Sequence, residues 1–181
     1  QNDDYFFNDF EITSKFEDQV RYISVNSPDI IEGELSGEFV FEEIGKLFEN
    51  AIGSIYTNYK PHKVNQNQYI DFNFKIYNKI VEVFVPELKL GKNTYVRGRV
   101  ESDEKEFKLT FKSPEIKLFD YFADKIELQL DNKNPVFNAF VEIDSINTKY
   151  YNASKFNLIN ITLNDTLFVR SEFQGGPKNK D

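Results

Sequence analysis

The residues that could carry acid–base chemistry are few, and they are placed where side chains usually face water. The chain has one histidine, His62, in the loop-like sequence YKPHK. A Ser–His–Asp triad would have to use this residue, and a lone loop histidine is ordinarily solvated. Adjacent carboxylates occur at a terminus, at a helix start and in a turn, not in a recognisable pocket: Asp3/Asp4, Glu42/Glu43 and Asp103/Glu104. We therefore expect no catalytic residue and no enzymatic activity.

Sites for metals, phosphates and nucleic acids also lack the residues that they need. The chain has no Cys and a single His, so thiolate and His-rich metal sites are excluded. Gly175-Gly176 is followed by Pro177 and a Lys-rich tail, which is typical of a linker and not of a phosphate-binding loop. A net charge of −8 disfavours nucleic acids and anionic membrane surfaces as partners. We expect no metal and no cofactor.

The unusual feature is the aromatic content, which consists of 19 Phe and 10 Tyr without any Trp. Phe and Tyr favour β-strands, and apolar residues alternate with polar ones many times along the chain. The alternating apolar sets are Leu35/Phe39/Phe41, Ile70/Phe72/Phe74/Ile76, Phe107/Leu109/Phe111, Ile126/Leu128/Leu130, Phe137/Ala139/Val141/Ile143, Ile159/Ile161/Leu163 and Leu167/Val169/Phe173. A strand with one apolar and one polar face is typical of antiparallel sheets.

Polar, turn-forming segments separate these strands, and they predict hairpins and meanders. They lie at residues 103–105, 131–135 and 164–165. Pro86 and Pro114 cannot donate to a ladder, so they mark strand ends or bulges. The fold class that follows is mainly β in a single domain over residues 1–181, with a β array over about residues 69–173.

One amphipathic helix is predicted over about residues 42–56. Its apolar residues fall at i, i+3, i+4, i+7, i+8 and i+11, which places them on one stripe: Ile44, Leu47, Phe48, Ala51, Ile52 and Ile55. Glu42 and Glu43 suit its N-terminus, where the helix dipole favours anions. The helix either caps the end of the β core or lies in the mouth of a groove.

A weak internal repeat links two parts of the β array. The segment Ala123-Asp-Lys125-Ile126-Glu-Leu128 matches Ala153-Ser-Lys155-Phe156-Asn-Leu158 at a spacing of 30 residues. A unit of this length holds about two strands, which is what a sheet that grows by hairpins would show.

The chain begins with Gln1 and contains no Met, so we expect a fragment or processed product of a longer protein. No apolar run reaches the roughly 18 residues that a membrane helix needs.

Four segments resemble the mid-region of TamB proteins, the AsmA-like translocation and assembly module family, of the Bacteroidetes type. They are residues 34–59 (ELSGEFVFEEIGKLFENAIGSIYTNY), 69–90 (YIDFNFKIYNKIVEVFVPELKL), 93–100 (NTYVRGRV) and 156–176 (FNLINITLNDTLFVRSEFQGG). The motifs are diffuse: β-rich spacing, an LNDTL turn, and a G-x-F-x-F entry into the helix. None of them is a catalytic signature.

The resemblance implies a curved antiparallel sheet that forms an open, taco-like or half-barrel groove with an apolar interior. It implies a segment of a periplasmic bridge whose parent is anchored in the inner membrane and partners an Omp85-type outer-membrane barrel. Such proteins are implicated in outer-membrane protein assembly and in phospholipid transport between membranes. The ligand would be a phospholipid or another acyl-chain molecule.

The residues that we expect to line the groove are apolar members of the alternating sets. They are Phe72, Phe74, Ile76, Phe107, Leu109, Phe111, Ile126, Leu128, Phe137, Val141, Ile161, Leu163, Leu167 and Val169. The helix stripe is expected to cover part of this surface.

Two other readings of the same pattern remain. The alternating strands also suit a β-sandwich-like structural or protein-interaction module with a closed core, whose partner pairs with a sheet edge. A carbohydrate-active jelly roll would fit the strand content, but the lack of Trp and the single His disfavour it.

Overall fold

A computed structural model describes residues 9–55, 59–103, 106–163 and 166–177. The described chain is mainly β, with eleven strands in one antiparallel sheet that is not closed into a barrel. The strands are β1 Glu11–Glu17, β2 Val20–Ser27, β3 Ile31–Glu38, β4 Tyr69–Ile76, β5 Leu88–Leu90, β6 Tyr95–Glu101, β7 Phe107–Leu118, β8 Tyr121–Asp131, β9 Ala139–Asn147, β10 Tyr151–Leu163 and β11 Thr166–Pro177. Two helices, α1 Ile44–Gly53 and α2 Asn78–Phe84, interrupt the strand order.

The strands lie side by side nearly in chain order, β1-β2-β3-β4-β6-β7-β8-β9-β10-β11, and the short β5 pairs with the second half of β7. This arrangement confirms the predicted curved antiparallel fold class. It also shows that the predicted β array over residues 69–173 is too short, since three strands precede α1. The described strands form one sheet and not the two facing sheets of a sandwich.

Helix α1 packs across one face of the sheet at one end of its strands. Leu47 and Ala51 are buried against Ile70, Val100 and Phe107, which come from β4, β6 and β7. Because these strands run antiparallel, the start of β4, the end of β6 and the start of β7 lie at the same end of the sheet. The helix therefore closes that end of its face with an ordinary dry core.

The C-terminal side of α1 reaches much farther across the sheet. Ser54 Oγ accepts a hydrogen bond from Asn132 Nδ2 at 2.8 Å, just beyond β8. The Ile55 carbonyl accepts one from Thr162 Oγ1 at 3.2 Å, at the end of β10. The helix and the turn that follows it thus make contacts from β4 to Thr162 of β10, as a cover at the mouth of a curved sheet would.

A buried amide fixes the start of α1 to the start of β4. Gln68 Oε1 accepts a hydrogen bond from the Val40 N–H at 2.7 Å, and Gln68 Nε2 donates to Glu43 Oε2 at 2.8 Å. Glu43 Oε2 also accepts from the Asn65 N–H at 2.9 Å. These hydrogen bonds, first the one from Asn65 and then the one from Gln68, lower the pKa of Glu43 below its ordinary value.

The predicted helix is longer than the observed one. A 3₁₀ turn covers Phe41–Glu43, α1 ends at Gly53, and Ile55 lies in the turn that follows; Tyr56 lies outside the described residues. Phe39 and Phe41 follow the end of β3 and do not continue that strand. In the predicted stripe, Leu47 and Ala51 are buried and Ile44, Phe48 and Ile55 are half-buried, but Ile52 is 48% exposed.

Helix α2 lies at the opposite end of the strands and was not predicted. It begins two residues after β4, and Asn78 Oδ1 accepts a hydrogen bond from the Leu90 N–H of β5 at 2.6 Å. Its sequence NKIVEVF contains three β-branched residues, which disfavour helices. Contacts with β5 and the ion pair between Lys79 and Asp29 hold the segment in place.

The 30-residue repeat has a structural counterpart in β8 and β10. Lys125 and Lys155 occupy equivalent places in the two matching segments, and both have positive φ, +48° and +52°. Asp144 of β9 lies between them in the register, and it pairs with Lys125 Nζ at 2.6 Å. Left-handed backbone in the middle of a strand interrupts the pleat, so the repeat marks a line along which the sheet bends. Pro114 of β7 also lies on this line, between the paired residues Ser113 and Glu115.

Two of the predicted turns fall partly or wholly outside the described residues, at 104–105 and 164–165. The third joins β8 to β9 as predicted. In the described part of the chain, no helix is long and apolar enough to cross a membrane.

Candidate functional site

The strand register assigns every paired residue to one of two faces, because directly paired residues of antiparallel strands point the same way. We call the side that carries α1 the helix face and the other side the opposite face. On β4, Ile70, Phe72, Phe74 and Ile76 belong to the helix face. From β4 the assignment passes strand by strand in both directions to β1 and β11.

The central feature of the helix face is an unbroken row of six apolar residues, one per strand, on six adjacent strands. Each is the direct register partner of the next, and we call the row the apolar strip: Phe74, Val96, Phe111, Leu128, Val141 and Leu158. All six are half-buried and keep part of their surface in contact with water. With strands about 4.8 Å apart, the strip runs for about 24 Å along the curved sheet.

Parallel rows flank the apolar strip on both sides. Toward α1 lies the row Phe72, Gly98, Leu109, Leu130 and Ala139. Away from α1, Ile126, Ile143 and Phe156 continue the apolar surface on β8, β9 and β10. Gly98 is glycine for a local reason: a Cβ there would lie 2.2 Å from the Lys108 carbonyl oxygen and 2.6 Å from the Phe72 ring.

Eleven of the fourteen residues predicted to line a groove share the helix face. They are Phe72, Phe74, Ile76, Phe107, Leu109, Phe111, Ile126, Leu128, Val141, Leu167 and Val169. The structure brings them onto one connected surface. Whether this surface holds a ligand stays a prediction.

The other three predicted residues lie elsewhere. Ile161 pairs with Phe168 and Leu163 with Thr166, which places both on the opposite face, since their neighbour Asn160 pairs with Val169 on the helix face. Phe137 precedes β9, and its ring lies 5.8 Å from that of Phe140, an opposite-face residue. These three are not brought together with the apolar strip.

The helix face is closed at one end of the strands and open toward β11. Phe72 and Phe107 are buried beneath α1, and Ile126 is buried within the sheet. The apolar strip is only half-buried, and Leu167 and Val169 of β11 are each 56% exposed. The face is thus neither a fully dry core nor a fully open trough: its apolar strip is half-buried from β4 to β10, and its apolar residues on β11 are exposed.

Sequence reasoning missed two members of the strip, Val96 and Leu158. In β10 it selected the alternation Ile159/Ile161/Leu163, although Phe156 and Leu158 form an equally good set on the other side. The 30-residue repeat carried the missing signal, because it aligns Leu158 with Leu128, a residue that was predicted to face inward.

The opposite face carries the charged residues of the central strands, and most of these are paired with one another. Arg99 Nη1 contacts Asp71 Oδ2 and Arg99 Nη2 contacts Glu101 Oε1, both at 2.5 Å. Lys112 Nζ lies 2.7 Å from Glu127 Oε2. A shallow depression of about 380 Å³ lies over these strands. Its mutually neutralised charges suit a solvated surface.

The residues singled out for acid–base chemistry do not converge. His62 Nε2 lies 2.9 Å from Glu49 Oε2, and both side chains are at least half exposed. Glu43 is engaged in the hydrogen bonds that position α1, and Asp103 Oδ2 accepts from the Asn67 N–H. Among the described residues, no three acids or histidines are grouped as a metal site would require.

The chain matches no protein-family model, no curated protein and no solved structure. The proposed function therefore rests on the geometry of the sheet.

Proposed function

We propose that the helix face binds and guides the acyl chains of phospholipids, as a non-catalytic segment of a TamB-like bridge across the periplasm. The parent chain would be anchored in the inner membrane and would meet an Omp85-type barrel at the outer membrane. Its role would be in outer-membrane protein assembly and in phospholipid transport between the membranes. The observation that carries the proposal is the apolar strip: six paired, half-exposed apolar side chains without a polar interruption.

The dimensions of the strip suit an acyl chain. The hydrocarbon core of a bilayer is about 30 Å thick, so one leaflet contributes acyl chains of about 15 Å. The strip, at about 24 Å, is longer than one such chain. A chain lying across the strands would therefore contact apolar side chains along its whole length.

The energetics favour a ligand with two chains over a ligand with one. Full burial of a methylene contributes about 0.8 kcal/mol, and an open surface covers roughly half of each. About twelve methylenes of one chain then contribute about 5 kcal/mol, which barely meets the association cost of about 4–15 kcal/mol. Two chains contribute about 10 kcal/mol, so a diacyl lipid is favoured over a fatty acid by about 5 kcal/mol.

Site-specific photocrosslinking with a matched control tests the proposal. Benzoylphenylalanine would replace Phe111 of the apolar strip in one variant and Phe140 of the opposite face in the other. Both substitutions exchange one half-buried Phe for a related ring. After irradiation with radiolabelled phosphatidylethanolamine vesicles, the Phe111 variant should carry at least about fivefold more lipid, in line with the difference in apolar contact.

Equal labelling of the two positions, or labelling of neither, would refute lipid binding by the helix face. Mass spectrometry of the purified wild-type chain gives an independent readout, since bound phospholipid should appear in its organic extract.

A protein-interaction role is the second candidate, and the exposed edge of the sheet favours it. Strand β11 is exposed along nearly its whole length, and its outer side has no partner strand among the described residues. An extended partner segment could add to this edge by backbone hydrogen bonds. Crosslinker at Phe168 would then capture a protein, whereas the lipid proposal predicts a lipid adduct at Phe111.

A further inference from the structure

One charged residue, Arg21, lies on the helix face within the part of the described sheet that carries α1 and the apolar strip. The register pairs Arg21 of β2 with Gly37 of β3, and Gly37 with Ile70 of β4, so Arg21 shares the face of α1 and of the apolar strip. The register assigns positions on every strand from β1 to β11 to this face. Among the described positions that lie on the α1 side of the bend at Lys125 and Lys155, no other residue is charged.

Arg21 is held by aromatic rings instead of by an anion. The carbon of its guanidinium lies 4.5 Å from the centroid of the Phe16 ring, 5.7 Å from that of Phe39 and 5.9 Å from that of Phe41. These rings come from β1 and from the segment between β3 and α1. Their faces attract a cation and fix the orientation of the guanidinium plane.

The guanidinium group of Arg21 has no hydrogen-bond or ion-pair partner among the described residues. Its Nε is fully buried and has no hydrogen-bond partner. No ion pair or hydrogen bond joins its Nη groups to any described residue, and these groups are not enclosed. A buried N–H without a partner is costly, and the Nη groups stay open to an anion, in contrast to those of Arg99 on the opposite face, which contact two carboxylates. The arrangement therefore favours an external anion.

The surroundings indicate which anion fits. Ile23 and Val25 follow Arg21 on the same face of β2, and Leu35 and Phe72 continue the apolar surface toward the strip. A ligand bound here would place one negative group at Arg21 and apolar groups beside it. The guanidinium fork matches the oxygens of a phosphate. The net charge of −8 repels free anions, so apolar contacts must contribute to binding.

We propose that Arg21 binds the phosphate of a phospholipid headgroup while the acyl chains lie on the helix face. This inference rests on the proposed function. It adds a preference that acyl-chain binding alone does not require: the face should bind a phosphate-bearing lipid more tightly than an uncharged lipid with the same chains.

Binding of two fluorescent lipids tests the preference. The probes are phosphatidylglycerol and diacylglycerol with identical acyl chains, one of which carries a nitrobenzoxadiazole group. We expect wild-type protein to bind phosphatidylglycerol about tenfold more tightly, as one charge-assisted contact implies. Arg21→Gln should bring the ratio of the two dissociation constants to about 1 without changing the affinity for diacylglycerol, and Arg21→Lys should keep part of the preference.

Arg97→Gln is the matched control, because it removes the same charge from an exposed position on the opposite face of β6. It should leave the ratio unchanged, and millimolar inorganic phosphate should not displace either lipid. Circular dichroism and thermal melting establish that each variant is folded.

The outcomes separate the two proposals. Equal wild-type affinity for both lipids, or a preference that survives Arg21→Gln, overturns the role of Arg21 and leaves acyl-chain binding intact. Failure of the wild-type chain to bind either lipid overturns both.

Discussion

Truncation of Leu47 to alanine tests whether α1 is a tightly packed part of the fold. Leu47 is 2% exposed, and it belongs to a cluster with Ala51, Ile70, Val100 and Phe107. Because these neighbours belong to three strands and to the helix itself, they cannot all move into the space that the leucine side chain would leave.

The expected cost follows from the lost burial and the residual cavity. Leu→Ala substitutions at fully buried sites cost about 3–5 kcal/mol when the surroundings do not collapse. For a chain of this length, each kcal/mol lowers the melting temperature by about 2–4 °C. Leu47→Ala should therefore lower the melting temperature by about 6 °C or more.

Ile52→Ala is the control within the same helix. Ile52 is 48% exposed, so its truncation removes little burial, and the higher helix propensity of alanine offsets part of the loss. A cost below about 1 kcal/mol is expected.

Urea denaturation followed by far-ultraviolet circular dichroism measures both variants. Leu47→Ala should lower the midpoint with an unchanged slope, which indicates a loss of stability without a change in the surface exposed on unfolding. The packing of α1 would be refuted if Leu47→Ala cost less than about 1 kcal/mol, or if both variants cost the same.

Three further predictions concern the backbone and the pH dependence. Gly33→Ala should cost at least about 2 kcal/mol, because Gly33 has a φ of +151° and a Cβ there would lie 2.0 Å from a carbonyl oxygen. Gly45→Ala, in open space on α1, should stabilise by about 0.5–1 kcal/mol; similar urea midpoints for the two would contradict this. The pKa of Glu43 is lowered in the folded chain, so its contribution is present at neutral pH and is lost as the pH falls through and below about 4.5. Wild type should therefore lose more stability than Glu43→Gln when melting temperatures at about pH 6 and pH 3 are compared, and parallel pH profiles would count against the assignment. Lys125→Gly, at a φ of +48°, should leave the urea midpoint unchanged or raise it, whereas Lys117→Gly in the regular part of β7 should lower it; the opposite order would show that Lys125 carries no backbone strain.

The alternation of apolar and polar residues was sufficient to predict the fold class. In β4, Phe72 and Phe74 alternate with Asp71 and Asn73. Among the regular backbone structures, only the β-strand places every second side chain on the same side. Long strands with short polar connections then favour antiparallel neighbours. For the same reason eleven of the fourteen predicted lining residues share a face.

The errors arise where a segment's structure depends on distant contacts. Helix α2 contains β-branched residues that favour a strand, and its contacts with β5 override that preference. Strands β1–β3 carry weak alternation interrupted by Gly33 and Gly37, so their place in the sheet follows from pairing with β4 and not from local pattern.

Local sequence determined that β4 and β7–β11 are strands, that each of them has an apolar side, and that the amphipathic helix α1 accompanies them. Only the tertiary structure decided that Leu158 and not Ile161 joins the apolar strip, because the facing of β10 depends on its pairing with β9 and on the bend at Lys155. It alone also placed Arg21 beside Phe16, Phe39 and Phe41. Side-chain alternation follows from the local backbone geometry of each strand. Register, curvature and the neighbours of a charged side chain depend instead on which strands pair across the sheet.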